Sequence, residues 1–534
     1  MCDSTGNIWP KPLNYTVLKQ ELVWIDARYP IFATSAPSNE SSAYLNNLTR
    51  YFLETIRLND NNDRCDENMY YLVINLLVFS PSMTLNWDTL EDYKLKMSAD
   101  DSGRSFSVAI EASTVFGARH GLETFLQLLQ SYDVNEQTCF VTLKELVIED
   151  KPYYKHRGLL LDSARNYLSI ETIKKNIVGM AMSKMNVLHW HLSDSQSFPF
   201  VSTRLPNMSF YGAYSEKETY TPSQITELLQ FAKLHGVQII PEIDGPAHAG
   251  SGWQWGADAG LGHLVLCYNQ LPYKSYCIQP PCGQMNPANP KLYDVLKELY
   301  ADISQLWSES NVFHMGGDEV NVPCWNSSEE IINYIGSKNR SEEAFLHLWG
   351  EFQSKALDAY DVASDSQKSI ILWTSTLTDP KTIEKYLSKN RYVIQTWVRK
   401  SDHLPADLEK LGYRLIISTK DSWYLDHGFW GTTTYYSWQT IYDNQISNGT
   451  TVLGGEVCMW GELVDNNNIE SRIWPRAAAA AERLWSNPTT SAVRAASRFF
   501  SQNDRLASRG IRTSSVVPEF CSKSNYDCEN YLTK

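Results

Sequence analysis

The sequence predicts an α/β protein: a (β/α)8 TIM barrel with a C-terminal extension over residues 153–534, preceded by a smaller α+β domain over residues 1–152. Three observations carry this expectation. The chain has 534 residues, 43% of them hydrophobic and 12% aromatic, so it exceeds one ordinary domain and can fill a large core. Its first part alternates short strand-like runs with one clear helix. After "EDKPYYKHRG", compact apolar runs recur eight times with helical segments between them.

In the first part, "ELVWID", "YYLVINLLVF", "EDYKLKMS" and "SFSVAIEAS" have strand composition. "ARHGLETFLQLLQ" places Leu122, Phe125, Leu126 and Leu129 on one helical face. The expectation is a meander with a packing helix. The eight later runs are "RGLLLDSA", "MNVLHWHLSD", "GVQIIPEIDGP", "VFHMGGDEV", "SIILWTST", "YVIQTWVR", "YRLIISTKDSW" and "TVLGGEVCMWGE". Separated by helices such as "ETIKKNIVGMAMSKM" and "SQITELLQFAKLHG", they read as a parallel sheet covered on both faces. Eight units fit a barrel better than an open doubly wound sheet, and no GxGxxG or Walker A motif is present.

A formal charge of -14, from 61 acidic and 47 basic residues without long blocks of one sign, disfavours nucleic acid and anionic membranes as partners. The longest apolar run, Tyr70 to Phe79, is too short to span a bilayer. No signal peptide is visible at the N-terminus. Seven Asn-x-Ser/Thr acceptors (Asn14, Asn39, Asn47, Asn207, Asn326, Asn339, Asn448) and ten cysteines without zinc spacing nevertheless point to an oxidising compartment, lysosomal or secreted. "CIQPPC" reads as a local loop staple. No metal cluster or HExxH occurs, so neither a metal nor an organic cofactor is expected.

In a barrel, chemistry gathers at the C-terminal strand ends. Those ends carry Asp162 and Arg165, Asp194, Glu242, Asp244 and His248, Asp318 and Glu319, Trp373, Trp397, Trp423 with Tyr424 and Asp426, and Trp460 with Glu462. Acids and tryptophans at one mouth suit a sugar, with its hydroxyls and its apolar ring faces. The adjacent carboxylates of "HMGGDEV" are the sharpest signal, and Gly-Gly before them allows a ligand close to the backbone. Neighbouring side chains tend to diverge, so the pair is not expected to act as an acid and its facing nucleophile. The adjacency fits a substrate whose own 2-acetamido oxygen attacks the anomeric carbon. Glu319 then serves as acid and base, while Asp318 orients the amide and stabilises the positive intermediate.

"HMGGDEV", "RGLLLDSARNYL", "MNVLHWHLSDSQSFP", "PEIDGPAHAG" and "GGEVCMWGELVD" resemble the β-N-acetylhexosaminidases of glycoside hydrolase family 20 over almost the whole chain. The resemblance implies catalytic roles for Asp318, Glu319, Tyr424, His248 and Asp194. Asp194 and His248 would stand behind the acid, and Tyr424 would donate to the acetamido oxygen. It further implies that Arg165 and Glu462 bind the 3- and 4-hydroxyls, that Trp373, Trp397 and Trp460 wall the pocket, and that Asp426 meets the 6-hydroxyl. An acid there would disfavour a 6-sulfate, with His427 softening this when protonated. Ser195 and Asn166 depart from the family pattern, where Asp and His are common. The resemblance also suggests Cys267–Cys324, and less directly Cys277–Cys282, Cys521–Cys528 and Cys65–Cys139. Cys458 reads as a buried thiol, and Cys2 has no obvious partner.

The function these readings imply is a retaining exo-β-N-acetylhexosaminidase that removes terminal β-linked GlcNAc or GalNAc from glycoconjugates or chitin oligosaccharides. The alternatives are a catalytically inactive carbohydrate-binding protein on the same fold, and an endo-like or chitin-oligomer-specialised enzyme. A homodimer stays open, since some members of the family dimerise.

Overall fold

The computed structural model describes residues 7–57, 69–134, 137–336 and 340–520. The first region is a six-stranded mixed sheet built from β1 (Asn14–Ser35), β2 (Tyr70–Val78), β3 (Tyr93–Asp100), β4 (Ser105–Ala112), β5 (Gln130–Val134) and β6 (Gln137–Asp150). The order is β1-β2-β4-β3-β6-β5, with β1 also pairing β6. Only part of it is a meander, because β2 runs parallel to both β1 and β4. The helix Asn39–Arg57 makes this possible by carrying the chain from β1 back to the start of β2. Its Asn and Ser content hides this helix from a reading of the sequence, although Leu45, Leu48, Phe52 and Ile56 form a buried stripe. The expected helix is present at Val115–Leu128, with Leu122 and Phe125 buried against the sheet.

All eight later runs become barrel strands. In chain order these are β7 (His156–Asp162), β8 (Val187–Ser193) and β9 (Gln238–Ile243). A two-stranded ribbon follows, β10 (Val265–Leu266) with β11 (Gln284–Met285), outside the barrel. Then come β12 (Val312–His314), β13 (Ser369–Trp373), β14 (Tyr392–Thr396), β15 (Arg414–Ile417) and β16 (Val452–Met459). The eight barrel strands are parallel and the ring closes where β16 pairs β7. Helices between them begin at good caps: Ser169 accepts from Thr172 N–H, and Thr221 forms a reciprocal capping box with Gln224.

The strands are buried on both faces, yet their residues still alternate between barrel lumen and outer shell. At the floor, Val187, Ile240, Val312, Ile371, Val393 and Ile416 form an apolar layer capped by Trp87 from the N-terminal region. Two residues further along several strands the lumen becomes polar, with His189, Glu242, His314, Gln395 and Glu456 all essentially inaccessible to solvent.

The two regions are joined by buried ion pairs. Lys184 Nζ lies 2.9 Å from Asp150 Oδ2, and Arg157 Nη2 lies 2.6 Å from Glu91 Oε1. Cys267–Cys324 and Cys277–Cys282 are disulfides, and Cys458 is a free buried thiol. Cys2, Cys65, Cys521 and Cys528 lie outside the described residues. Six of the acceptor asparagines are exposed, and Asn339 falls outside the described residues. Among the described residues no helix is long and apolar enough to cross a membrane.

Trp87 fills the floor with only 8% exposure. Trp87→Ala should therefore cost about 3–5 kcal/mol, the range for deleting a buried aromatic, measured as a lowered denaturant midpoint.

Candidate active site

The strand β12 is followed by Met315-Gly316-Gly317, which delivers Asp318 and Glu319 to the mouth. Gly316 and Gly317 adopt φ of +65° and +90°, and Glu319 itself sits at +50°. Both glycines meet a neighbouring side chain, Asp244. A Cβ on Gly316 would come within 1.7 Å of Asp244 Oδ1, and the same oxygen accepts Gly317 N–H at 3.0 Å. The left-handed turn also overrides the expected divergence of adjacent side chains. Carboxylate oxygens of Asp318 and Glu319 and a nitrogen of His248 all lie within 4.8 Å of one another.

The two carboxyls nonetheless occupy different surroundings. Burial, opposed by His248 and reinforced by Glu319 and Glu242, pushes the Asp318 carboxyl up to about 6. Glu319 is 24% exposed and faces His248 Nε2 at 3.3 Å. Burial raises its pKa, but the bond and charge of His248, with Arg165 and Lys420, prevail and hold it below the ordinary range. The sequence points to Glu319 as the acid. The surrounding charges favour protonation of His248 over Glu319.

Asp194, at the end of β8, organises this proton. Its Oδ1 is 3.2 Å from His248 Nδ1, and its Oδ2 lies 2.8 Å from Arg165 Nη2 and 3.0 Å from His191 Nε2. Burial disfavours charge on Asp194, yet Arg165, His248 and His191 outweigh it and keep it ionised. His248 in turn is held cationic, burial notwithstanding, by Asp194, Glu319 and Asp318. The Ser195 departure leaves this arrangement intact, because its contribution is a backbone N–H donated to Asp194 Oδ1.

Arg165 also contacts Asp162 and packs 5.0 Å over the Trp460 ring. Its Nη2 donates to Gln279 Oε1 at 2.9 Å, while Gln279 Nε2 donates to Glu462 Oε1 at 2.9 Å. Gln279, carried by the Cys277–Cys282 loop, thus links the two residues expected to bind the sugar's vicinal hydroxyls. Sequence reasoning misses it, since its only signal is a place inside "CIQPPC". Asn166, the other departure, donates to the carbonyls of Gly461 and Glu462 and so fixes the Glu462 backbone.

Trp373, Tyr424, Trp397 and Trp460 converge with Leu160 and Cys458 into one cluster. Trp373 and Trp460 lie 5.8 Å apart at 46°, and Trp397 anchors its indole N–H on the Thr374 carbonyl at 2.7 Å. Trp423 does not join them. It is buried in the shell, donating to the Ile441 carbonyl. Asp426 accepts from Trp430 Nε1 at 3.0 Å. Burial, with Glu462 adding repulsion and the Trp430 bond opposing, pushes its carboxyl up to about 7. Burial and Lys420 lower His427 to about 4, so His427 is neutral near pH 7 and is not the group that softens Asp426's charge.

The buried polar atoms that make no hydrogen bond within the protein include four at the mouth: Arg165 Nε, Asp318 Oδ1, Asp426 Oδ1 and Glu462 Oε2. Each belongs to a residue assigned to the mouth from the sequence. Several His and carboxylate groups approach within metal-ligand reach, including His189, Glu242 and His314. Within that group His314 Nδ1 accepts Gly316 N–H and Glu242 accepts from Trp373 Nε1 and His191, while His189 Nε2 and His314 Nε2 make no hydrogen bond.

A carboxyl whose pKa is raised by folding loses stability as pH climbs through its ordinary value near 4 to its folded value of about 6. Asp318→Asn should therefore stabilise the protein at pH 7, by up to about 3 kcal/mol, with the gain vanishing near pH 4 in thermal melts at both pH values.

Comparison with known proteins agrees with this geometry. Residues 154–488 match the model of the glycosyl hydrolase family 20 catalytic domain, and residues 8–128 match a beta-acetyl hexosaminidase like domain. The chain is 43% identical over 455 residues to a chitooligosaccharidolytic beta-N-acetylglucosaminidase of Ostrinia furnacalis, covering 82% of this chain and 75% of that protein. It is 37% identical over 546 residues to the protein of the same name from Bombyx mori, covering 99% and 90%. Among solved structures, Flavobacterium johnsoniae chitobiase superposes with a TM-score of 0.73 at 25% identity, over 95% of this chain and 73% of that one. The barrel, the sheet before it and the carboxylates at its mouth therefore have one reading: the chain belongs to glycosyl hydrolase family 20 and is a glycoside hydrolase.

Proposed function

We propose that the protein is a retaining exo-β-N-acetylhexosaminidase that releases terminal β-linked GlcNAc or GalNAc by substrate-assisted catalysis. The observation that carries this reading is the set of four unpaired, buried polar atoms around a tryptophan wall. Unpaired buried groups are costly, and a ligand rich in hydroxyls and amide groups satisfies them. Arg165 and Glu462, which carry two of these atoms, are bridged by Gln279 through their other polar atoms, Nη2 and Oε1, its amide offering that pair one acceptor and one donor. Two adjacent sugar hydroxyls supply the same two functions and would replace it.

Asp318 is the deeper carboxylate and takes the acetamido N–H, aligning the amide oxygen with the anomeric carbon. Glu319 receives the proton from His248 Nε2 and passes it to the leaving oxygen as the C1–O bond breaks and the amide oxygen bonds C1. Water then attacks C1, its proton returns through Glu319 to His248, and the amide is restored. Two inversions at C1 leave the configuration retained. Tyr424, on the same wall, donates to the amide oxygen.

The two insect relatives named as chitooligosaccharidolytic support chitin oligosaccharides as the substrate class. Asp426, protonated below about pH 7, repels an anion on the 6-hydroxyl only above that pH.

Two measurements test this reading. Rates on N-acetyl and N-trifluoroacetyl glycosides should fall sharply with the weaker acyl nucleophile, and Asp318→Asn and Glu319→Gln should each lower kcat by about a hundredfold or more. Equal rates on both substrates contradict amide participation, and binding without turnover indicates a lectin. Second, the preference for neutral over 6-sulfated sugars, read as a ratio of kcat/KM, should grow between about pH 5 and pH 8 as Asp426 ionises.

A further inference from the structure

The array behind the catalytic acid does not stop at Asp194. His191, which donates from Nε2 to Asp194, holds Glu242 Oε2 through Nδ1 at 2.5 Å. The same Glu242 oxygen lies 2.9 Å from His189 Nε2, an ion-pair contact outside hydrogen-bond alignment. His189 Nδ1 meets Glu456 Oε1 at 2.7 Å, and Glu456 Oε2 meets His156 Nε2 at 2.9 Å. Trp87 Nε1–H ends the series on His156 Nδ1 at 3.2 Å, which places the His156 proton on Nε2, facing Glu456. Imidazoles and carboxylates thus alternate from Glu319 at the mouth to Trp87 at the floor, through hydrogen bonds and, at His248–Glu319 and His189–Glu242, through ion-pair contacts.

Such an array is a costly way to fill a barrel, whose lumen is ordinarily packed with branched apolar side chains. Buried ion pairs are often no more stable than apolar residues of the same volume. The surroundings are nevertheless fitted to the charges. Trp373 Nε1 donates to Glu242 Oε1 at 2.8 Å, and Gln395 Nε2 donates to Glu456 Oε1 at 2.7 Å. A Cβ at position 158 would stand 2.4 Å from Glu456 Oε2 and 2.6 Å from His156 Nε2, so Gly158 leaves room for that pair. His314 also faces Glu242 Oε1 at 3.2 Å, but its Nδ1 is an acceptor, occupied by Gly316 N–H.

We propose that His191 and Glu242 are positioning residues of the general acid: with His189, Glu456 and His156 they form one array that holds Asp194 as a fixed anion, against which His248 releases and regains its proton. The charges are consistent with this. Burial opposes charge on His189, but Glu456 and Glu242 lift it to about 9, and His191 is likewise raised well above its ordinary value, against burial, by Glu242 and Asp194. Glu242 and Glu456 are depressed by the same histidines against the effect of burial. When His248 gives up its proton, Asp194 still faces Arg165 and the His191 imidazolium. Asp194 therefore stays ionised and draws the proton back to His248 once the leaving group departs. No atom or charge enters or leaves the array beyond His248 during turnover.

This inference rests on the proposed hydrolase reading and is tested on substrates that differ only in their need for acid. Glu242→Gln and Glu456→Gln keep shape and remove charge. Each is assayed on 4-nitrophenyl and unsubstituted phenyl β-N-acetylglucosaminides, the second being the poorer leaving group. The ratio of the two kcat values does not depend on how much protein is folded, so partial misfolding leaves the readout intact. Glu242→Gln is expected to lose about tenfold more kcat on the phenyl than on the nitrophenyl substrate, with KM nearly unchanged. Glu456→Gln, farther away, should show a smaller loss in the same direction. Equal losses on both substrates, or losses confined to KM, overturn the assignment and leave the array structural. Wild type inert on both glycosides would instead sink the hydrolase reading itself.

Discussion

Asp194 is a carboxylate removed from water that stays charged because three cations surround it. The rest of the site follows from that constraint. Arg165 is drawn to one oxygen and thereby aimed at the mouth, and His248 is drawn to the other and thereby aimed at Glu319. Removing any one of the three would leave Asp194 facing the other two, with its buried charge less fully compensated.

The backbone after β12 solves a second problem. Two carboxylates consecutive in sequence would ordinarily be sent apart, and a Cβ at Gly316 would collide with Asp244. Two glycines and a left-handed Glu319 allow the chain to turn beside Asp244 and bring both acids to His248. Asp318 then ends deep and reluctant to ionise, while Glu319 ends on the rim in an ion pair. One dipeptide thus presents two groups of different proton affinity at a single mouth.

Much of this was legible in the residues. Eight apolar runs marked eight strands because a parallel sheet covered on both faces selects apolar side chains along its whole length. Their C-terminal ends named Arg165, Asp194, His248, Asp318, Glu319, Trp373, Trp397, Tyr424, Asp426, Trp460 and Glu462, and the structure gathers these at one mouth. The polar lumen was not legible: His189, His314, Gln395 and Glu456 sit inside runs read as apolar. Trp423 stands among the residues at the strand ends, yet it is buried in the shell and donates to the Ile441 carbonyl.

The sequence by itself determined the strand count, the domain order, the acids at the mouth and the family, because these depend on composition, period and motif order along the chain. Only the tertiary structure decided which charges surround Asp194, that Gln279 bridges Arg165 to Glu462, and that a tryptophan from the first region ends an array reaching Glu319. Those facts depend on distances between segments up to 300 positions apart, as His156 is from Glu456. Electrostatic energy varies with separation in space, and closing the barrel is what fixes that separation.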